Sequence, residues 1–392
     1  LKPDSPTLTD DVDLIAEALI VSTGGNDDQW STEARALISG FILHVVTDPT
    51  EEGQRHLPRV RDILNLPPVD MMAVIKTMSE SDHSSVKGAA GRFLQKEAKE
   101  LASVISTAQA NTHFLEGRQM RESLSATSFR FEYLKSPKKP LSVYLIIPSD
   151  RLRTHGRWLR LMVAMAIKGI INVKRKPDRP ALFLLDEFAA LGRMATIEQA
   201  FGLMAGYGMQ MWPFLQDISQ LQIYERTWQT FIANAGVFQV FGTRDMATAE
   251  YVSKMLGAET RTEFRANGEP HRFSRPLRSP DEIIRMNPKN MILFVNNFHP
   301  ILAYKAPYYN NHRFWWPIDG KDGFHPRFKP ISDFGTPKKL NVVDPETALR
   351  VKGEIWEVVP YSENSFDLSK LFSVIGALII FLATLPIRFL SS

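Results

Sequence analysis

Leu182-Phe183-Leu184-Leu185-Asp186-Glu187 is a run of four apolar residues that stops at two adjacent carboxylates. A short apolar run of this kind reads as a strand of a parallel sheet, covered on both faces. Open sheets of that type bind ligands just beyond the carboxyl ends of their strands. The run therefore predicts an α/β fold with Asp186 and Glu187 at the mouth of a site.

Two chemical readings fit this local string. Acids that follow a strand can cap the next helix by accepting hydrogen bonds from its first N–H groups. The same string is also the Walker B pattern of nucleotide-hydrolysing machines. In that reading Asp186 holds the magnesium ion that bridges the terminal phosphates, and Glu187 orients or deprotonates the attacking water. The string alone leaves both open.

The rest of the chain supplies an alternating frame. Between residues 10 and 130 the pattern is helical: Ala34, Leu37, Ile38, Phe41, Ile42, Val45 and Val46 recur at three- and four-residue steps and so share one helix face. Asp48-Pro49 ends that helix. Phe93, Leu94, Leu101, Val104, Ile105 and Ala108 form a second such pattern, with Lys96, Glu97, Lys99 and Glu100 on its exposed side. From residue 141 the period changes. Residues 141–147 read as a strand, 158–171 as an apolar helix, 196–204 as a helix closed by Gly206 and Gly208, 209–215 as a strand, 218–232 as a helix and 236–241 as a strand. Asp245 is placed to cap a helix over 246–256 that terminates at Gly257, and 291–295 reads as a further strand. Such alternation implies a parallel sheet with helices on its faces.

Composition narrows the class without choosing it. The 392 residues are 44% apolar and 23% charged, ordinary for a globular protein of two or more domains. With no cysteine, disulfides and thiolate metal sites are excluded, which fits a reducing compartment. The net charge of +4 permits nucleic-acid contact without arguing for it. His44, His83, His113 and His155 show no ligand spacing, so no metal site follows from them. The opening Leu1-Lys2-Pro3-Asp4-Ser5-Pro6 does not read as a signal peptide. Near the other end residues 371–385 are uncharged and apolar, at the short limit for a membrane span. A buried helix, a membrane-edge helix and an anchor all fit that tail.

Gln216 follows the second strand of the frame, where an amide can hydrogen-bond both a terminal phosphate and the attacking water. Its other reading is a surface Gln that opens a helix. Taken in order, Asp186-Glu187-Phe188-Ala189-Ala190-Leu191-Gly192-Arg193, then Met204-Ala205-Gly206-Tyr207-Gly208, then Gln216-Asp217-Ile218-Ser219-Gln220-Leu221, then Asn234, and Asp245 with Thr248-Ala249, closely resemble the type IV secretion coupling proteins. These form the TraG family of DNA-pumping ATPases. Asn26-Asp27-Asp28-Gln29-Trp30 is similar to the segment that opens the family's helical insert. Arg275-Pro276-Leu277 through Met291 to Val295 looks like its final turn and strand.

The resemblance implies an α/β fold: a RecA-like P-loop NTPase with a parallel sheet and an inserted all-α domain. The insert would cover 10–130 and the Walker B half of the nucleotide-binding domain 131–315, with an extension over 316–370 and the apolar tail, a possible membrane helix, over 371–390. It implies ATP and Mg2+ as cofactors, magnesium binding for Asp186, water activation for Glu187 and phosphate sensing for Gln216. Arg193, ahead of Arg244, is the candidate arginine that reaches across a subunit interface. The partners implied are single-stranded DNA, relaxase or effector cargo, secretion-channel proteins and further copies in a homohexamer. The location implied is the cytoplasmic face of the bacterial inner membrane.

One departure bears directly on the site. The family's Gly-rich loop ending in Lys-Ser/Thr is found nowhere in these 392 residues. The expectation is a sequence that begins downstream of that loop and of the family's membrane helices. Two other functions remain: a non-catalytic docking module whose helical block recognises cargo, and a RecA-like translocase of the FtsK type. DNA contact would come from basic loops, either Arg261, Arg265, Arg272, Arg275 and Arg278 with Phe264 and Phe273, or Arg151, Arg153, Arg157 and Arg160. Glu259, Glu263 and Glu269 dilute the first group, which favours a solvated loop.

Overall fold

The computed structural model describes residues 1–21, 28–136, 141–177, 179–264 and 269–307, together with the backbone of 381–382. The extension over 316–370, Arg265 and all but two residues of the apolar tail lie outside them. The chain divides into two compact units, Leu1–Ala181 with Phe188–Met209, and Leu182–Glu187 with Gln210–Ser392.

The first unit is helical. It contains α1 (Leu8–Leu19), α2 (Asp28–Thr47), α3 (Leu57–Leu64), α4 (Pro68–Ser79), α5 (Ser84–Leu94), α6 (Ala98–Thr112), α7 (Arg118–Leu124), α8 (Leu152–Asn172) and α9 (Ala195–Leu203). The predicted apolar stripe of α2 is the core: Ala34, Leu37, Ile38, Phe41, Ile42, Val45 and Val46 are all buried, and α2 packs against α1, α5 and α6. Arg61 of α3 is buried with them, satisfied by Glu116, the Gln109 carbonyl at 2.7 Å and the Thr112 hydroxyl at 2.9 Å. A buried guanidinium is tolerated only when its donors are paired in this way. The predicted helix over 158–171 is present and begins six residues earlier, at Leu152.

One strand expectation fails here. Residues 141–147 have alternately half-buried and exposed side chains but are not a strand and form no ladder. Tyr144 and Ile146 stand 70% and 79% exposed. A strand is stabilised by the neighbour that takes its backbone hydrogen bonds, and none of the described residues serves as that neighbour.

The second unit carries the strands. β1 (Ala181–Leu185) neighbours β2 (Met209–Leu215). The two-residue strand β8 (Phe381–Leu382) pairs in parallel with Phe214 and Leu215 of β2. α10 (Trp228–Ala233), β3 (Val237–Val240) and α11 (Met246–Leu256) follow β2; β4 (Ala258–Phe264) and β5 (Pro270–Pro276) form a two-stranded ribbon; α12 (Pro280–Ile284), β6 (Asn290–Val295) and β7 (Ile301–Tyr304) complete it. The strand expected over 291–295 is β6, yet it runs antiparallel to β3, with Val237 opposite Val295, and β7 is antiparallel to β6. The alternation of strands and helices therefore overstates the parallel character of this part. The long excursion through α11, the ribbon and α12 returns the chain to β3 from the opposite direction.

The helix expected over 218–232 is two pieces. A 3₁₀ segment, Ile218–Thr227, breaks at Glu225 (φ 50°, ψ −121°) before α10 begins. The break sets the buried Tyr224 ring 4.5 Å from that of Phe231, a packing gain that offsets the unfavourable backbone of Glu225.

Candidate nucleotide site

β1 ends at Leu185, and Asp186 and Glu187 form the exposed turn that follows. The strand is not covered on both faces as its sequence suggests: Leu185 is buried, while Leu182 and Leu184 are 50% and 58% exposed. Alternation of this kind marks a strand with one packed face and one open face. Among the described residues no hydrogen bond or ion pair engages either carboxylate. The helix-cap reading thus has no bond to support it here.

Gln216 stands in the same relation to β2. It is the first residue past the strand and is exposed, and its backbone N–H donates to the Gln220 side chain at 3.0 Å. Asp217 caps the 3₁₀ segment by accepting from the Gln220 N–H. The Ile218 N–H donates to the hydroxyl of the fully buried Thr248, at 3.1 Å, and that hydroxyl donates to Asp245 at 2.7 Å. Asp245 is the N-cap of α11, as expected, and its bonds to Thr248 hold its carboxyl below the usual range. The segment carrying Gln216 is thereby fastened to the start of α11. Thr248 is the residue that sequence reasoning passed over as a mere match; a Thr three residues after a capping Asp was the available signal.

Arg193 lies in the other unit, exposed, in the turn before α9. Its carbonyl accepts from Arg160 at 2.9 Å, and the same guanidinium bonds the carbonyls of Leu191 and, at 3.1 Å, Ala18. Arg160 is 5% exposed, so it is removed from the basic cluster offered above as a DNA contact: three backbone acceptors, not phosphates, account for its charge. Arg157 is half-buried and donates to Asn111, and burial lowers its pKa; Arg151 and Arg153 remain exposed. Gly192 adopts φ +63° between Leu191 and Arg193, a conformation that favours glycine. Arg244 is exposed between β3 and α11.

Among the described residues no group of three or more His, Asp or Glu could hold a metal by itself. The donor set at β1 is two carboxylates. Mg2+ typically takes one or two carboxylates and completes its shell with water and substrate phosphates, so this pair fits a magnesium that arrives with a nucleotide. The phosphates are a different matter, because the amides and lysine that would cradle them are missing from the sequence.

Comparison with known proteins decides what this frame belongs to. Residues 1–330 match the family described as Type IV secretory system Conjugative DNA transfer. The chain belongs to that family. Within it, the conjugal transfer protein TraG of Escherichia coli is 26% identical over 345 residues, covering 76% of this chain and 54% of TraG. The chain thus spans about half the length of that relative. Among solved structures, the bacterial conjugative coupling protein TrwBdeltaN70 superposes with a TM-score of 0.63 at 16% identity, over 76% of this chain and 68% of that one. The plasmid coupling protein TrwB in complex with ADP and Mg2+ gives 0.60 at 17%, over 76% and 68%. At these identities the likeness is one of fold, and it is the α/β, RecA-like fold expected from the sequence. No helix among the described residues is long and apolar enough to cross a membrane.

Proposed function

We propose that this chain is the motor portion of a coupling protein, in which ATP hydrolysis moves single-stranded DNA or a protein–DNA complex toward a type IV secretion channel. The observation that carries this reading is the placement of Asp186, Glu187 and Gln216 as exposed groups at the carboxyl ends of neighbouring strands, in a chain of this family. Asp186 would hold Mg2+, which supplies charge neutralisation at the phosphates. Glu187 orients the attacking water and takes its proton, Gln216 reports whether the terminal phosphate is present, and Arg193 reaches a neighbouring subunit's phosphates. The phosphate cradle that this reading requires is not found among these 392 residues. The nucleotide complex of TrwB supports the choice of ATP and Mg2+. In the same reading the all-α insert is 10–130, cargo and channel proteins are the partners, and the working form is a homohexamer at the cytoplasmic face of the inner membrane.

The absent phosphate loop favours one other reading, a cargo-docking fragment without catalysis. Equilibrium dialysis with ATP, with and without Mg2+, of the chain joined to a Gly-rich phosphate loop separates the two: Mg2+-dependent binding that Asp186→Ala weakens supports the motor, and its absence supports the docking fragment. For the chain joined to a phosphate loop, Glu187→Gln is expected to lower hydrolysis at least about 100-fold while leaving nucleotide affinity in place. Undiminished turnover in that variant would remove Glu187 from its role.

A further inference from the structure

The ribbon β4–β5 shows a division that its sequence conceals. Its register pairs Glu259 with Arg275, Arg261 with Phe273 and Glu263 with His271; alternate positions pair Thr260 with Ser274, Thr262 with Arg272 and Phe264 with Pro270. Because side chains alternate across a strand, both acids of the paired strands fall on one face, where Glu259 bonds Arg261 at 2.6 Å and Arg275 bonds Glu282 of α12 at 2.5 Å. The opposite face carries Thr260, Thr262, Ser274, Arg272 and Phe264, all exposed, with no carboxylate among the paired residues of the two strands. Phe264 is 75% exposed, too open to serve a core. Glu259 and Glu263, two of the three acids that dilute the charge of this region in the linear sequence, are thus turned away from that face.

We propose that this acid-free face of the ribbon binds single-stranded nucleic acid. Arg272 and the three hydroxyls meet phosphate oxygens, and Phe264 stacks on a base, the combination that holds a single strand without reading its sequence. The ribbon is also connected to the candidate phosphate sensor. It leaves α11 at Gly257 (φ +79°), is closed at its base by the bonds of the Leu277 N–H to the Gly257 carbonyl and of Ser253 to the Arg278 carbonyl, and α11 begins at the Asp245–Thr248 junction that fastens the Gln216 segment. The proposal rests on the motor reading only for this link; nucleic-acid binding by the ribbon stands or falls without nucleotide.

The test is fluorescence anisotropy of a labelled single-stranded oligonucleotide titrated with the 392-residue chain over a range of salt, without nucleotide. Arg272→Ala is expected to weaken binding and to make the slope of log affinity against log salt shallower by about 0.7. Phe264→Ala is expected to weaken it roughly tenfold, and Arg261→Ala, the same charge change on the opposite face, to leave it unchanged. Equal losses from Arg272→Ala and Arg261→Ala, no loss from either Arg272→Ala or Phe264→Ala, or no binding at all would overturn the assignment. None of these outcomes bears on the dialysis with ATP, so failure here is distinguishable from failure of the motor reading.

Discussion

Gly208 shows how much a single residue of the recognised pattern is constrained. Its φ is +75°, and a Cβ at this position would collide with the ring of Pro177. Any side chain at this position meets both a left-handed backbone and a steric block. Gly206, two residues earlier, has nothing within 4 Å of such a Cβ and no positive φ. Gly208→Ala is therefore expected to lose about 2 kcal/mol or more of stability, and Gly206→Ala to stay within about 1 kcal/mol of the parent. Denaturant titration measures both, and comparable losses would show that the clash with Pro177 is not what selects glycine. In the sequence the two glycines look alike. Only the path of the chain past Pro177 tells them apart.

At the scale of elements, the junction of the Gln216 segment with α11 turns on one hydroxyl. Thr248 Oγ1 accepts from the Ile218 N–H and donates to Asp245, with no exposed surface. Thr248→Val keeps the shape and leaves a buried N–H without its acceptor, a loss of about 1–3 kcal/mol. Thr248→Ser should keep most of the stability, since it retains the oxygen; a stable Thr248→Val beside a destabilised Thr248→Ser would mean that the methyl group, not the hydroxyl, matters. This scale also separates what periodicity can and cannot deliver. The stripe of α2, the Asp245 cap and the end of α11 at Gly257 were legible because each rests on neighbours within a turn or two. The antiparallel sense of β6, the missing ladder at 141–147 and the break at Glu225 were not, because each depends on a partner distant in sequence or on a ring such as Phe231 arriving from the next element.

For the whole molecule, the paired carboxylates set a pH dependence. The Arg92 guanidinium holds Glu33 below its ordinary value, Arg61 does the same for Glu116, and Thr248 for Asp245. A carboxyl whose folded pKa is depressed binds protons more weakly than in the unfolded chain, so its contribution is complete above about pH 5 and is lost as pH falls through the folded value. Burial lowers the pKa of His44 despite its ion pair with Asp48 at 3.5 Å. Below its ordinary value of about 6.5 the unfolded chain takes up that proton first, and stability falls there as well. Denaturant midpoints are expected to decline modestly between about pH 7 and 5 and more steeply below about pH 4. A midpoint that does not change from pH 7 to pH 4 would show that these shifts do not reach the folding equilibrium.

The sequence by itself determined the class of the protein and the identity of its candidate carboxylates. A strand ending in Asp186-Glu187, glycines at turns and an amide after the next strand are local patterns, set by backbone geometry and by the chemistry of phosphates. The tertiary structure alone decided that Arg160 serves three carbonyls, that Thr248 fastens the Gln216 segment to α11, and that Glu259 and Glu263 of the β4–β5 ribbon face away from Arg272 and Phe264. The physical reason is the same in each case. Burial and facing depend on which residues meet across the chain, and a linear pattern fixes the period of a side chain but not its neighbour.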